Sequence, residues 1–233
     1  MYEHFAKDES LKELCEIFLG VDNHFFWHGQ ETFNGRPFSG EENAAKIASQ
    51  LGGQTLEMIL SNNKDYFEGL GIRYKDTERI NGQRFNAPKL EEDGRLLSML
   101  FALSAHGEIV HVVGGNDKRK SMGREIEEHL HPGIFRTIEL PLMMLAEKVT
   151  TIKKVSPVDG RDLGVVTLAQ EFERMHGQRS AGEVFREYVD TDRERAVAQR
   201  IKVQYDELRE VAADPTSPSP PRNNQNSDRN FGL

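Results

Sequence analysis

An α/β fold, with a mostly parallel central sheet of about four to five strands flanked by helices and a helical C-terminal part, is what this sequence predicts. Three observations lead there. Short apolar or β-branched runs alternate with segments whose apolar residues recur at helical spacing. Glycine pairs, Gly52-Gly53 and Gly114-Gly115, punctuate the ends of such runs. Ser or Thr stands three residues ahead of Glu or Gln at several helix starts, the capping-box pattern. The 233 residues suffice for one large core. The reading is a single domain over residues 1–213, with its core at 22–155 and C-terminal helices at 165–213, followed by a tail at 214–233.

Taken in order, Ser10 and Glu13 open a first helix whose apolar stripe is Leu11, Leu14, Cys15, Phe18 and Leu19, and Gly20 ends it. His24-Phe25-Phe26-Trp27 is a short strand running into His28-Gly29. A polar, turn-rich stretch follows. Ser39 and Glu42 then start a helix carrying Ala44, Ala45, Ile47, Ala48 and Leu51. Thr55 to Leu60 reads as the second strand, making a strand-helix-strand unit and hence a parallel pair. Residues 61–92 are charged and irregular and read as short helix or loop. Leu96, Leu97, Met99, Leu100 and Leu103 mark a helix over 95–106. Ile109 to Val113 is β-branched and continuous, as a central strand covered on both faces should be. Phe135 to Leu140 reads as a fourth strand halted by Pro141, Leu142 to Lys148 as one or two helical turns, and Val149 to Val155 as a fifth strand. Thr167 with Gln170, Ser180 with Glu183 and Thr191 with Glu194 start three more helices. In the last, Val197, Ile201, Tyr205 and Leu208 share a face. The Pro-, Ser- and Asn-rich end past Ala213 cannot bury a core and is expected to be disordered.

Composition excludes several functions. A net charge of −8 argues against a general grip on nucleic acid. The basic knot Lys118-Arg119-Lys120 reads first as a solvated loop. The richest apolar run, Leu140 to Ala146, is too short to cross a bilayer, and no membrane association is expected. The first residues lack the basic-then-apolar order of a secretory signal, so a cytoplasmic location is expected. The single cysteine, Cys15, excludes an internal disulfide and suits a core position.

Three side chains carry candidate chemistry. Trp27, the one tryptophan, stands at a strand end where it could stack on a flat ring. Glu57 and Glu139 each interrupt an apolar run, and a carboxylate in such a setting is costly unless paired or used. On the strand reading, all three sit at C-terminal strand ends, the ligand-binding edge of an open α/β sheet.

Their order matters more than any one of them. Phe26-Trp27-His28-Gly29, then Gln54-Thr55-Leu56-Glu57, then Ser98 and Phe101-Ala102 leading through Gly107 to Val110-His111-Val112, then Phe135 to Pro141 and Val149-Thr150, together resemble the ADP-ribosyl cyclase and NAD glycohydrolase family. The resemblance covers roughly residues 24–152. It implies that Glu139 is the catalytic glutamate that stabilises the ribosyl cation left when nicotinamide departs. Glu57 matches the acid that holds the carboxamide, Trp27 the aromatic lining the nicotinamide-ribose pocket, and Ser98 a serine near the ribose and phosphate. His28 and Gly29, with Ile134 and Phe135, match segments whose backbone amides meet the pyrophosphate. NAD, and in second place NADP, would be substrate rather than cofactor, and no cofactor or metal is implied.

Departures from the family pattern point to the product. Gly94 stands where animal members hold a second pocket tryptophan, and Ile134 where a threonine is expected. The family's disulfides are absent, and an insertion around Asn34 to Glu42 lengthens the Trp27 to Glu57 interval. A more open pocket admits water, so hydrolysis to ADP-ribose and nicotinamide is expected over cyclisation. Two other readings compete: a non-catalytic nucleotide-sensing or partner-binding module on the same fold, and a metal site drawing on His106, His111, Glu127, Glu128, His129 and His131. The last of these has poor ligand spacing. If the protein is a toxin, the helices past Thr167 could also present a face to a regulatory or immunity protein.

Overall fold

The computed structural model describes residues 2–27, 30–33, 36–72, 91–112, 133–156, 159–189 and 191–213. A short helix α1 (Tyr2–Phe5) leads into α2 (Asp8–Leu19), which buries Leu11, Leu14, Cys15 and Phe18 on one stripe. It begins two residues before Ser10, with Lys7 at the cap position and no side-chain cap bond, so the Ser10–Glu13 pair does not start it.

Strand β1 (Phe25–Trp27) is followed by a hairpin, β2 (Gln30–Phe33) and β3 (Arg36–Ser39), within the stretch expected to be only turns. Phe33 pairs with Arg36, and between them stand Asn34 and Gly35, the residue pair that tight hairpins favour. Helix α3 (Gly40–Leu51) comes next, as its alanine-rich spacing predicts.

The central sheet has the order β1-β4-β5-β6, where β4 is Gly107–Val112, β5 is Val149–Val155 and β6 is Asp162–Thr167. β1, β4 and β5 are mutually parallel, and β6 runs antiparallel along the β5 edge. The fold is therefore α/β with a four-stranded, mostly parallel sheet. β6 went unread in the sequence: Gly164 breaks its short apolar run, and Leu163 and Val165 stand exposed on an edge strand.

Two expected strands are helices. Thr55 to Leu60 forms α4 (Leu56–Asn62), with α5 (Lys64–Gly69) after it. Leu56, Ile59 and Leu60 are buried together, a three-and-four spacing that a helix presents on one face and a strand cannot. The only pairing left from the strand reading is one parallel bridge, His24 to Gln54. Phe135 to Leu140 is likewise helical: a π-helix (Phe135–Glu139) continuing into α7 (Leu140–Ala146). Leu140 N–H donates to the Phe135 carbonyl, five residues back rather than four. Pro141 explains the widening, because its ring would clash with the carbonyl four residues behind it in a regular helix.

Both faces of the sheet are covered. Phe25, Val112 and Val155 meet Ala44, Ile47 and Ala48 of α3 on one side. On the other, Phe26, Ile109 and Ile152 join the main core built from α2, α4, α6 (Glu91–Ser104), the π-helix and α7. That core continues into α8 (Leu168–His176), α9 (Ala181–Tyr188) and α10 (Asp192–Ala213). The capping boxes at Thr167–Gln170 and Ser180–Glu183 are both formed, and the Thr191 hydroxyl accepts from the Glu194 amide at 3.1 Å. Two buried acids tie elements together through bonded cations: Glu171 to Lys154 and Arg174, and Glu194 to Arg95. Among the described residues no helix is long and apolar enough to cross a membrane. The expected tail, 214–233, the basic knot at 118–120 and the glycine pair at 114–115 lie outside the described residues.

Candidate functional site

Gly53 and Gln54 begin the construction of the site. Phe25 N–H donates to the Gln54 carbonyl at 2.9 Å and Gln54 N–H to the Asn23 carbonyl at 3.0 Å, so this pair of residues runs beside the start of β1. A Cβ at 53 would lie 2.2 Å from the Phe25 ring, so any side chain there forces its neighbours to shift. Thr55 follows in extended conformation and caps α4, its hydroxyl accepting from Met58 N–H at 3.3 Å. Glu57 is thereby fixed in the first turn of α4, directly across from the end of β1. Trp27 Nε1–H donates to Glu57 Oε2 at 3.2 Å.

Glu139 arrives from the opposite wall, at the last position of the π-helix, and is buried with 7% of its surface exposed. Ser98 of α6, which is also buried, stands on the same cavity wall and works to lower the Glu139 carboxyl. Trp27, Glu57, Ser98 and Glu139 line one cavity of about 240 Å³, walled by Phe25, Phe26, Leu56, Phe101 and Phe135 and bordered by Gly133 and Ile134. Phe135 is buried, stacked on His111 with centroids 4.1 Å apart, whereas Ile134 is exposed. Ile134 and Phe135 start the helical run that carries Glu139 and continues through Ala146, and backbone amides at such a start favour anions. His28 and Gly29 lie outside the described residues.

Two of the three candidate centres therefore occupy helices, not strand ends; only Trp27 ends a parallel strand, β1. The convergence nonetheless brings together every candidate within the described residues. Glu57 sits in the first turn of a helix and Glu139 where the π-helix joins α7, so helices replace strand ends as the carriers.

The electrostatics are unequal. Burial pushes the Glu139 carboxyl up to about 8, the nearby Glu57 charge pushes in the same direction, and the Ser98 hydrogen bond acts against both. Burial raises Glu57 too, opposed by a backbone hydrogen bond within the α4 start and by Trp27 and Thr55. The helix N-terminus thus helps Glu57 hold a charge that Glu139 lacks the partners to hold alone.

Among the described residues, no group of three or more His, Cys, Asp or Glu converges as a metal site would require. Of the rival ligand set, His106 is exposed, His111 is buried against Phe135, and 127–131 fall outside the described residues. Sequence reasoning missed the apolar enclosure by Leu56 and Phe25, and it missed the π-helix, for which Pro141 directly after the Glu139-Leu140 pair was the available signal. No protein-family model, no curated protein and no solved structure matches this chain.

Proposed function

We propose that this chain cleaves the nicotinamide–ribose bond of NAD, mainly by hydrolysis to nicotinamide and ADP-ribose, in the cavity that holds Trp27, Glu57 and Glu139. One observation carries the reading: the described lining contains two carboxylates, no cation, and a wall of aromatic rings. Such a site favours a flat, electron-poor or cationic group over an anion or an aliphatic one.

The chemistry follows from that charge. In NAD the nicotinamide nitrogen is cationic, so the bond to C1′ breaks with its electron pair going to the ring, which leaves neutral. Positive charge passes to the ribosyl centre, as in glycoside hydrolysis. An ionised Glu139 stabilises it, and water adds at C1′ with loss of one proton to give ADP-ribose. Trp27 offers its indole face to the nicotinamide, and Glu57, held by the indole N–H, is placed to accept from the carboxamide. Ser98 is placed to meet the ribose. A preorganised group aimed at developing charge is commonly worth about a hundredfold or more in rate.

Incubation of the purified protein with NAD and with NADP, followed by chromatography, tests this. ADP-ribose and nicotinamide are expected from the wild type, with Glu139→Gln slower by about 100-fold or more. An inert wild type sinks the enzymatic reading, and mostly cyclic product sinks the preference for hydrolysis. Retained binding without turnover in both proteins would point to nucleotide sensing.

A further inference from the structure

In the π-helix that carries Glu139, the Arg136 carbonyl loses its helical donor. In a regular α-helix the Arg136 carbonyl would accept from the amide of Leu140, but that amide reaches the Phe135 carbonyl instead. The wider π spacing would call on the amide of residue 141, and Pro141 has none. Arg136 therefore has no acceptor bond from its own helix. A different element supplies one. His176, the last residue of α8, holds Nε2 at 2.9 Å from the Arg136 oxygen. A carbonyl only accepts, so that nitrogen carries the proton. The contact is returned, because Arg136 Nη2 donates to the Met175 carbonyl at 2.8 Å. The His176 ring is itself steadied by Phe172, with centroids 4.7 Å apart.

We propose that His176 is a positioning residue for Glu139: by satisfying the Arg136 carbonyl it holds the π turn, and so keeps the carboxylate three residues further on directed into the cavity. No residue of α8 lines the cavity, and the contact of His176 with the Glu139 segment is to the Arg136 backbone oxygen. The role of Glu139 in catalysis rests on the reading proposed above; its placement by His176 does not.

The test separates the two. His176→Phe keeps a ring on Phe172 and removes the donor, whereas His176→Gln retains a side-chain N–H. Fluorescence of Trp27, the only tryptophan, is bonded to Glu57 and reports the titration of the acid pair without any turnover. His176→Phe is expected to move the midpoint of that titration by about half a pH unit or more. It should also lower kcat for NAD roughly tenfold while leaving KM within about twofold, as misorientation of a reacting group does. His176→Gln should recover most of both. An unmoved midpoint in His176→Phe overturns the proposal, and so does an equal defect in His176→Gln, which would assign the effect to ring shape. If the wild type fails to cleave NAD, the functional reading falls and the fluorescence midpoint still decides the role of His176. If His176→Phe does not fold, His176→Leu, which also removes the donor and keeps an apolar side chain beside Phe172, takes its place, and an unmoved midpoint in that variant overturns the proposal.

Discussion

Glu139 and Glu57 share a cavity but hold charge by different means. Glu57 has the indole N–H, the Thr55 hydroxyl and the start of a helix beside it, while Glu139 has Ser98 and the repulsion of its neighbour. The proton that the pair retains near neutral pH therefore resides on Glu139, and the pair titrates as a unit. For a mechanism needing an anionic Glu139, kcat/KM should rise with pH toward a midpoint near 8, and kcat should show a lower midpoint because the cationic substrate favours the ionised acid. The same shift is a statement about stability. The folded state binds this proton more tightly than the unfolded chain, so its contribution is complete below about 4.5 and is lost as pH rises to about 8. Glu139→Gln should therefore be more stable than wild type at pH 9, by an amount on the order of a few kcal/mol at most, and nearly equal to it at pH 4. Denaturant melts at both pH values check this, and equal differences at the two would contradict the assigned cause.

At the level of elements, the approach of residues 53–55 to β1 decides where Glu57 lies. Gly53 is required by contact: a methyl group there would meet the buried Phe25 ring and the Asn23 carbonyl, at 2.2 and 2.8 Å. Gly53→Ala should cost about 1–3 kcal/mol, read as a lower melting temperature, and should weaken the Trp27–Glu57 bond, read as a change in Trp27 emission. Full wild-type stability would show that this segment shifts freely and does not fix the site. Glu139 depends on another element boundary, where Pro141 forces the helix to widen and α8 takes up the carbonyl that the widening strands. Both acids are thus set by what lies at the end of their element, not by the run of residues around them.

Across the whole molecule, α2, α6 and α10 pack on one another within the main core. Tyr205 is fully buried and donates to the Leu100 carbonyl at 3.1 Å, and Arg209 donates to the carbonyls of Leu103 and Ser104 at the end of α6. Cys15 lies in this packing with no exposed surface, its thiol pushed up to about 12 by burial. As a neutral buried thiol it should resist a thiol reagent until α10 or the whole domain opens. Labelling of native protein is then expected to follow the unfolding rate and to accelerate in denaturant. Fast labelling of the native state would mean that the C-terminal helix leaves the core independently.

What could be read without coordinates was whatever local chemistry writes into neighbouring residues. The β-branched run at Ile109 to Val112 and the segment Val149 to Val155 are strands, and Thr167 and Ser180 cap helices, because a cap bond or a β-branched side chain acts within three or four positions. The alternation of sheet and helix that this implies is also present. Thr55 to Leu60 and Phe135 to Leu140 were different. Each is a six-residue segment in which one acid stands among apolar and polar neighbours, too short for its spacing alone to decide between strand and helix. The choice fell to contacts distant in sequence: Gln54 against Asn23 and Phe25 in one case, His176 against Arg136 in the other. The types of side chain at the cavity were legible along the chain, but their direction was settled only when separate elements satisfied one another's backbone groups.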